Sequence, residues 1–412
     1  MQTAMMPNSF SQSFPLVDSS FDEQEINSCI ETLRSGQLTM GKRVREFEVA
    51  FARHIGVRHA VMVNSGSSAN LLAVAAAINP LRERRLPLGS RVAVPAVCWS
   101  TSLWPLVQLG LKPVLVDVDP ATMNMSLDSL HLALRSHDIR AIMMVHVLGN
   151  SCDMTELLTL VNEHQLVLFE DTCESLGSRH AGRMLGTLGD FGTFSFYFSH
   201  HMTTIEGGMV VCDDDADYDL LKCLRAHGWT REQSNRAALE ASHPEIDPRF
   251  LFVNAGFNLR PMELQAAFGL EQLRRLDLMN CNRIQNSALI RSAFVAHPRW
   301  RGQLQFPESP QRLEPCWFGF PFLVARSEQL DYRQFTAALL AQGIDTRPIV
   351  SGNMALQPAI KLFDVDCSLG PFQGAQEVHD RGLFIGVHAK PLEHQRIEWM
   401  VGAVLDALEV RE

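Results

Sequence analysis

Residues 60–78 read AVMVNSGSSANLLAVAAAI, an apolar run followed by a polar turn and an alanine-rich stretch. The apolar run has the length and composition of a buried strand, and alanine favours the helix more than any other residue. The same alternation of short apolar runs and helical stretches continues to about residue 212. Apolar strands that are each followed by a helix are typical of a mostly parallel sheet with helices on both faces. The fold class is therefore predicted to be α/β.

The predicted elements divide the chain into a larger and a smaller part. In the larger part, strands are predicted at 60–63, 92–97, 114–118, 141–147, 166–169, 193–197 and 209–212, and helices at 70–78, 101–109, 127–134 and 154–163. A helical pattern resumes at Pro261, and an α+β unit follows with a strand at 317–324 and helices at 332–342 and 392–408. We expect a large α/β domain at 15–270 and a small C-terminal α+β domain at 271–412.

The composition argues against several classes of protein. The 412 residues include 36 Lys and Arg against 46 Asp and Glu, which gives a net charge of -10. An acidic chain without a basic run is a poor ligand for nucleic acid. No apolar run approaches the roughly 20 residues that a membrane helix needs, and residues 1–15 carry no positive charge typical of a signal peptide. We therefore expect a cytoplasmic protein that binds neither nucleic acid nor membrane.

The nine cysteines are scattered along the chain, and none forms a C-x-x-C or C-x-C pair. An odd number of isolated cysteines favours neither a disulfide framework nor a compact zinc or iron–sulfur site. The sequence therefore predicts no metal site, and the cysteines are interpreted as small buried apolar residues.

The turn at 64–70, NSGSSAN, is the first candidate binding segment. Gly66 allows a tight turn, and the first N–H groups of the following helix have no intrahelical acceptor. Together with the hydroxyls of Ser67 and Ser68 they would form a cup for a phosphate or carboxylate group. The alternative, that these serines only cap the helix, is equally compatible with this segment alone.

The second candidate segment, LVLFEDTCESLG at 166–177, places Glu170 and Asp171 at the end of a predicted strand. Buried carboxylates are unfavourable unless they meet a cation, a metal or hydrogen-bond donors. An aspartate there could hold the protonated ring nitrogen of a pyridine cofactor. Metal binding is a rival interpretation, although no histidines stand at ligand spacing, and a helix-capping aspartate is another.

The third candidate segment, GTFSFYFSHHMTTIEGG at 192–208, carries two adjacent histidines, His200 and His201. Successive side chains of an extended segment point in opposite directions, so at most one of them should face a crevice beyond the strands. A histidine in that position can act as a general base near neutral pH. The alternative is a histidine with a purely structural role in the core.

Together these segments resemble the sugar aminotransferase family of the fold-type-I enzymes that use pyridoxal phosphate. The resemblance extends over nearly the whole chain from residue 15, and it implies a large, mostly parallel α/β/α sheet domain followed by a smaller α+β domain. Its landmarks are SGSS at 65–68, PAVCWS at 95–100, EDTCES at 170–175, SF at 195–196, EGG at 206–208 and GFNLR at 256–260.

The resemblance also implies roles for individual residues. Gly66, Ser67, Ser68 and Ser195 would hold the cofactor phosphate. Trp99 would lie against the cofactor ring, Asp171 would hold its nitrogen and Glu174 would bond its phenolic oxygen. Asn258 and Arg260 belong to a loop that would reach into the site of a partner subunit, so a homodimer with shared active sites is implied.

One departure from the family distinguishes this chain. Typical members carry, five residues after the serine of Ser195-Phe196, a lysine that binds the cofactor covalently, and here that position is His200. The five lysines of the chain (42, 112, 222, 361 and 390) do not stand at comparable strand ends. Because an imidazole cannot form the covalent bond that a lysine amine forms, ordinary transamination is disfavoured.

Histidine in place of this lysine is similar to the sugar 3-dehydratases of the family, of which there are two kinds. One kind adds an iron–sulfur cluster and a reductase partner, acts on CDP-sugars, and needs a C-x-C cysteine pair that this sequence lacks. The other uses the aminated cofactor alone and acts on GDP-4-keto-6-deoxy-D-mannose. The second kind is the better match, through the segments 199–208, 225–231, 317–320, 347–350 and 382–386. The resemblance therefore implies neither an iron–sulfur cluster nor a reductase partner.

The implied activity is removal of the C3 hydroxyl of GDP-4-keto-6-deoxy-D-mannose to give GDP-4-keto-3,6-dideoxy-D-mannose. Non-covalent pyridoxal phosphate would be converted to pyridoxamine phosphate by glutamate, and His200 would act as the base. His227, Arg231 and Arg347 are candidates for the nucleotide diphosphate or the sugar, because arginine binds phosphate bidentately. Salt bridges at the surface or an interface are an equally good explanation of these three residues.

Three alternatives remain open from the sequence. The enzyme could act on another nucleotide sugar, since no segment identifies the base. It could be a sugar aminotransferase that works without lysine. It could also be a non-catalytic sensor of a nucleotide sugar, although Asp171, Ser195 and His200 together argue against a protein that only binds.

Overall fold

The structure is a computed structural model that describes residues 13–18, 20–326 and 331–409. Residues 1–12, which bear on the expectation of no signal peptide, lie outside the described residues. The described strands up to residue 212 are β1 (His59–Val63), β2 (Arg91–Pro95), β3 (Lys112–Val116), β4 (Val118–Asp119), β5 (Asn124–Met125), β6 (Ile139–Val145), β7 (Val167–Asp171), β8 (Arg179–His180), β9 (Arg183–Met184), β10 (Phe191–Ser195) and β11 (Gly208–Cys212).

The helices of the same part surround these strands and extend beyond them. They are α1 (Glu23–Ser35), α2 (Lys42–Ile55), α3 (Gly66–Ala77), α4 (Ser100–Gln108), α5 (Leu127–Ser136), α6 (Met154–Glu163), α7 (Asp215–Arg225), α8 (Arg236–Ser242) and α9 (Glu263–Ala296). Helix α6 has the predicted bounds, because Asp153 caps it by accepting the N–H groups of Thr155 and Glu156.

Seven of the described strands form a central sheet in the order β1-β11-β10-β7-β6-β2-β3. Every strand of this sheet except β11 runs in the same direction, so the prediction of a mostly parallel sheet is confirmed. The alanine-rich face of α3 packs on this sheet, where the small buried side chains of Ala69, Ala73 and Ala76 allow a close approach. Because the parallel strands end at one edge, the loops that follow them meet there.

Five central strands end two residues from their predicted ends, β2, β3, β6 and β10 earlier and β7 later, and the ends of β7 and β6 bear on the site. Strand β7 continues through Glu170 and Asp171 instead of ending at residue 169, because both residues pair with β6 and β10 on either side. Strand β6 ends at Val145, and Val147–Gly149 form a 3-10 turn in which Leu148 has a φ of 53°. Both differences place polar groups at the carboxyl edge of the sheet.

The C-terminal part contains an antiparallel sheet in the order β12-β14-β16-β15. Its elements and the short strand β13, which pairs with β8, are β12 (Leu304–Gln305), β13 (Leu313–Glu314), β14 (Gly319–Val324), β15 (Thr346–Pro348), β16 (Gly382–Gly386), α10 (Tyr332–Ala341), α11 (Gln373–Arg381) and α12 (His394–Glu409). Helix α9 links the two parts, since it packs on α1 and α2 near its start and contributes Ile290 and Phe294 to the core of the small sheet. The predicted boundary at 270–271 lies inside α9, and the division into domains stays a prediction.

Among the described residues, no helix combines the length and the apolar character that crossing a membrane requires.

A cluster of phenylalanine rings anchors β10, the strand that ends at Ser195. Phe51 of α2 is fully buried, and its ring centroid lies 5.2 Å from that of Phe194 and 5.4 Å from that of Phe196. We expect Phe51→Ala to lower the free energy of unfolding by roughly 3–5 kcal/mol, because the deleted ring leaves a cavity in a packed core. Val49→Ala, on the exposed face of the same helix, should change it by less than about 0.5 kcal/mol. Urea unfolding followed by circular dichroism measures both, and equal losses would contradict this packing.

Candidate active site

A cavity of about 390 Å³ opens at the carboxyl edge of the central sheet. The loops after β1, β2, β6, β7 and β10 line it, and Phe318 and Val350 close it from the C-terminal part. It brings together seven of the residues selected from the sequence, Gly66, Ser67, Trp99, Asp171, Glu174, Ser195 and His200. A larger cavity of about 520 Å³ near Asn353 and Gln376 is lined by none of them.

One end of the cavity is the N-terminus of α3. Ser65 caps this helix, because its Oγ accepts the backbone N–H of Ser68 at 3.1 Å and donates its own hydrogen to the Ser68 Oγ at 3.0 Å. Ser68 is therefore turned toward the cap and does not line the cavity. Ser67 does line it, and its hydroxyl bonds that of Thr101 at 2.9 Å. Ser65 thus caps the helix, whereas Ser67 faces the cavity.

Gly66 lets this helix end approach β10 closely. A Cβ at position 66 would lie 2.5 Å from Cβ and 2.9 Å from Oγ of Ser195, which is too close for any side chain. The cradle between the helix N-terminus and Ser195 is therefore open only because residue 66 is glycine. Unpaired N–H groups and a hydroxyl at a helix N-terminus are suited to a phosphate group.

Asp171, the last residue of β7, is buried at the centre of the cavity wall. Its Oδ2 accepts hydrogen bonds from Asn70 Nδ2 at 2.8 Å and Ser102 Oγ at 2.7 Å, and its Oδ1 accepts the N–H of Cys173 at 3.2 Å. Donors of this kind hold the carboxylate in one orientation. An oriented carboxylate at the wall of a partly apolar cavity favours a cationic ligand group such as a protonated pyridine nitrogen.

The neighbouring carboxylate, Glu170, points to the other side of the strand. It bonds His146 Nε2 at 3.1 Å and accepts three backbone N–H groups from the loop 186–189 at 2.6–2.9 Å. Burial raises the pKa of Glu170, but His146 and these N–H groups outweigh burial, so the pKa lies below its ordinary value. The hydrogen bonds of Glu170 are thus satisfied inside the protein, and of these two neighbouring carboxylates only Asp171 faces the cavity.

Glu174 also lines the cavity, but its pKa is raised, whereas that of Glu170 is lowered. Burial raises the pKa of Glu174 to about 7, with the charge of Asp171 adding to the effect and the N–H of Leu148 opposing it. Near neutral pH this carboxyl group is therefore able to donate or accept a hydrogen bond. A phenolic oxygen is a suitable partner for such a group.

His200 presents a free imidazole nitrogen to the cavity. Its Nδ1 lies 2.7 Å from the carbonyl oxygen of Cys173. Because a carbonyl only accepts, Nδ1 carries the hydrogen and Nε2 keeps its lone pair. Burial lowers the pKa of His200 to about 4, although the Cys173 carbonyl and Asp171 oppose this shift. The imidazole is therefore neutral at physiological pH and can accept a proton.

The adjacent His201 does not line the cavity, so only one of the two histidines does, although the pair stands in a turn and bend beyond β10 and not in an extended strand. It is buried, and its Nε2 lies 3.0 Å from the carbonyl oxygen of Cys316. Burial and the charge of Arg283 both hold the pKa of His201 well below its ordinary value. His201 is thus placed behind the site and contacts the C-terminal part of the chain.

The remaining selected residues lie outside this cavity. Around Trp229, Arg231 stacks on the ring at 4.0 Å and His227 contacts it edge-on at 4.8 Å. The exposed Asn258 accepts a hydrogen bond from Arg260 Nε at 2.9 Å in the same region. Arg347 is exposed on β15 and donates to the carbonyl of Thr346.

Some residues of the site were not selected from the sequence: Asn70, His146 and Phe318 line the cavity, and Ser102 donates a hydrogen bond to Asp171. Asn70 had a usable signal, since it stands one helical turn after Gly66 and so faces the same side of α3. The other three reach the site through tertiary packing, and no local pattern marks them.

The fold and the site define a class of protein, the fold-type-I enzymes that use pyridoxal phosphate. Within that class, the sequence pattern of the DegT/DnrJ/EryC1/StrS aminotransferase family matches residues 19–404, and the chain belongs to this family. Its sequence is 38% identical over 385 residues to the GDP-4-keto-6-deoxy-D-mannose 3-dehydratase of Yersinia pseudotuberculosis, which covers 93% of this chain and 96% of that protein.

Two solved structures are similar over nearly their whole length. The Escherichia coli GDP-4-keto-6-deoxy-D-mannose-3-dehydratase with bound hydrated PLP has a TM-score of 0.88 and 35% identity, over 95% of this chain and 99% of that one. A GDP-4-keto-6-deoxymannose-3-dehydratase with a trapped PLP-glutamate geminal diamine has a TM-score of 0.86 and 34% identity, over 95% and 100%.

The cradle at Gly66 can be tested through cofactor binding. We expect Gly66→Ala to weaken the binding of pyridoxal phosphate by about tenfold or more, because the added methyl group displaces Ser195 or the helix end. Absorbance titration of the purified protein measures the dissociation constant. Gly402→Ala in α12 is the matched control, since nothing lies within 4 Å of its new methyl group. Unchanged affinity in Gly66→Ala would contradict the assignment.

Proposed function

We propose that this protein is a pyridoxal phosphate- and pyridoxamine phosphate-dependent nucleotide-sugar 3-dehydratase. It removes the C3 hydroxyl of GDP-4-keto-6-deoxy-D-mannose to give GDP-4-keto-3,6-dideoxy-D-mannose, with glutamate as the amine donor. The observation that carries this proposal is a neutral imidazole, His200, at the position where typical family members keep a lysine. Relatives that carry the name of this dehydratase support the choice of substrate.

The cavity residues fit the cofactor as follows. The N–H groups at the start of α3, with Ser67 and Ser195, would hold its phosphate, and Trp99 would cover its ring. Asp171 would bond the ring nitrogen and Glu174 the phenolic oxygen. When bound, pyridoxal phosphate supplies an electron sink beside the reacting carbon.

The protein itself moves one proton. Nε2 of His200 would accept a proton from the C4′ carbon of the cofactor and return it to the departing C3 oxygen of the sugar, which would leave as water. The Cys173 carbonyl keeps Nδ1 protonated throughout, so the same nitrogen serves in both directions. Because an imidazole cannot displace the product covalently as a lysine amine does, water would release the product as an enamine, and a further water would hydrolyse it to the ketone and ammonia.

We further propose that the enzyme works in the cytoplasm as a homodimer with shared sites. Asn258, Arg260, His227 and Arg231 lie outside the cavity of their own chain, and each carries groups that bind phosphate or sugar oxygens. In the dimer they would complete the site of the partner subunit. Arg347, exposed on β15, would contact the nucleotide diphosphate.

Product analysis tests the proposed reaction. Incubation with pyridoxal phosphate, glutamate and GDP-4-keto-6-deoxymannose should release ammonia and the 3-deoxygenated sugar in equal amounts, measured by enzymatic ammonia assay and mass spectrometry. His200→Asn should reduce deoxygenation by about 10²–10⁴-fold, as expected for loss of a general base. His200→Lys should instead bind the cofactor covalently and lose deoxygenation. A sugar that retains the amino group would overturn the proposal in favour of aminotransfer.

Shared sites can be tested by complementation. His200→Asn and Asn258→Ala should each be inactive alone, because every site of each homodimer lacks one essential group. Mixed dimers, formed by co-expression, contain one site with both native residues and should recover up to half of the native activity per dimer. Failure to recover activity, in dimers verified by native mass spectrometry, would exclude a contribution of Asn258 to the partner's site.

A further inference from the structure

We propose that His201 and Arg283 are positioning residues, which act through the segment 316–318 to hold the His200 imidazole with Nε2 toward the cavity. This inference rests on the proposed function insofar as it takes His200 to be the catalytic base. His201 and Arg283 themselves do not line the cavity.

Phe318 is the part of this segment that contacts the base. Its ring meets the His200 ring edge-on, with centroids 5.1 Å apart and an interplanar angle of 68°. Tyr197 contacts the same imidazole at 6.0 Å and 88°. The hydrogen bond to Cys173 holds Nδ1, and these two rings pack against the imidazole and restrict the side-chain rotations that would turn Nε2 away from the cavity.

His201 fixes the start of the segment. Its Nε2 donates to the carbonyl of Cys316, whose own N–H donates to Ser178 Oγ at 2.9 Å. The two neighbouring histidines are therefore tied to opposite sides of the cavity wall. His200 bonds the loop after β7, whereas His201 bonds the segment before β14 that brings Phe318 against His200.

Arg283 of α9 fixes the other end of the segment. Its Nη1 donates to the carbonyls of Phe318 at 3.3 Å and Val387 at 2.5 Å. These two residues flank the paired ends of β14 and β16, where Gly319 pairs with Gly386. Arg283 thus joins the end of the small sheet to the long helix, at the residue that touches the base.

The environment of Arg283 is unusual for a structural arginine. It is 3% exposed, its hydrogen-bond acceptors among the described residues are carbonyl oxygens, and its Nε has no partner there. A buried cation without a bonded carboxylate is costly. It also disfavours a second positive charge nearby: burial is the main cause of the lowered pKa of His200 and His201, and the charge of Arg283 adds to it. Arg283 therefore favours the neutral form of the His200 imidazole as well as its orientation.

Other titratable groups also surround His200, and a test must separate them. They are Asp171, Cys173 and Glu174 after β7, His146 after β6, Tyr197, His201 and Glu206 in or beside its own loop, and Arg283 on α9. A readout at His200 itself avoids confusion with Glu174, whose pKa is about 7.

Carbethoxylation by diethyl pyrocarbonate gives that readout, because only a neutral imidazole reacts. We expect the rate at His200, followed by peptide mass spectrometry on the cofactor-free protein, to be flat from about pH 5.5 to 8 in the native chain. In His201→Leu and Phe318→Leu the imidazole gains solvent contact, which raises its pKa toward the ordinary value. The modification rate should therefore fall as the pH is lowered, with its midpoint near about pH 6.5. His201→Gln retains a donor for the Cys316 carbonyl and should behave like the native chain.

The rate of deoxygenation gives an independent measure. At saturating sugar, His201→Leu and Phe318→Leu should be slower by about tenfold to a hundredfold, since small misplacements of a base have effects of this size. The affinity of His201→Leu for pyridoxal phosphate should stay within about twofold of the native value, because His201 does not line the cavity. Arg283→Met should show both the pH-dependent modification of His200 and the slower deoxygenation. If Arg283→Met does not fold, Phe318→Leu tests the same segment in its place.

The outcomes distinguish this inference from the proposed function. A native reaction profile at His200 in His201→Leu and Phe318→Leu would overturn the positioning role, and so would equal defects in His201→Gln and His201→Leu. Native protein that fails to deoxygenate the sugar would instead overturn the proposed function. The modification profiles would still decide the inference in that case.

Discussion

The hydrogen bond between His200 Nδ1 and the Cys173 carbonyl, 2.7 Å long, is the interaction on which the chemistry of the site depends. A carbonyl oxygen cannot donate, so this bond selects one tautomer and leaves Nε2 as the basic atom. It also ties the loop after β10 to the loop after β7, the strand that carries Asp171. The base and the residue proposed for the cofactor nitrogen are thus held in register by neighbouring parallel strands.

Three ionisable side chains of the site are held in three different states by their surroundings. Backbone N–H groups and His146 stabilise the charge of Glu170. Burial raises the pKa of Glu174 to about 7, so this carboxyl group is partly protonated near neutral pH, and burial keeps His200 unprotonated. Groups whose pKa values are pushed apart in this way can accept and donate protons at the same pH.

Much of the fold could be predicted because the central strands are apolar along their length. The pattern located all seven strands of the central sheet, and α6 matched to the residue because Asp153 caps it. The extension of β7 to Asp171 depends on pairing with β6 and β10, which a local pattern does not contain. The cofactor end of the site was predictable from motifs, whereas Ser102 and Phe318 arrive by tertiary packing and Asn258 lies outside its own chain's cavity.

The central claim is that a histidine stands where an anchoring lysine is usual, so that the cofactor is held without a covalent bond. The most direct measurement is the intact mass of the native protein after reconstitution with pyridoxal phosphate and reduction with borohydride. The account predicts the mass of the unmodified chain, with all the reduced cofactor recovered in the filtrate. A mass increase equal to one reduced cofactor, on any side chain, would contradict it.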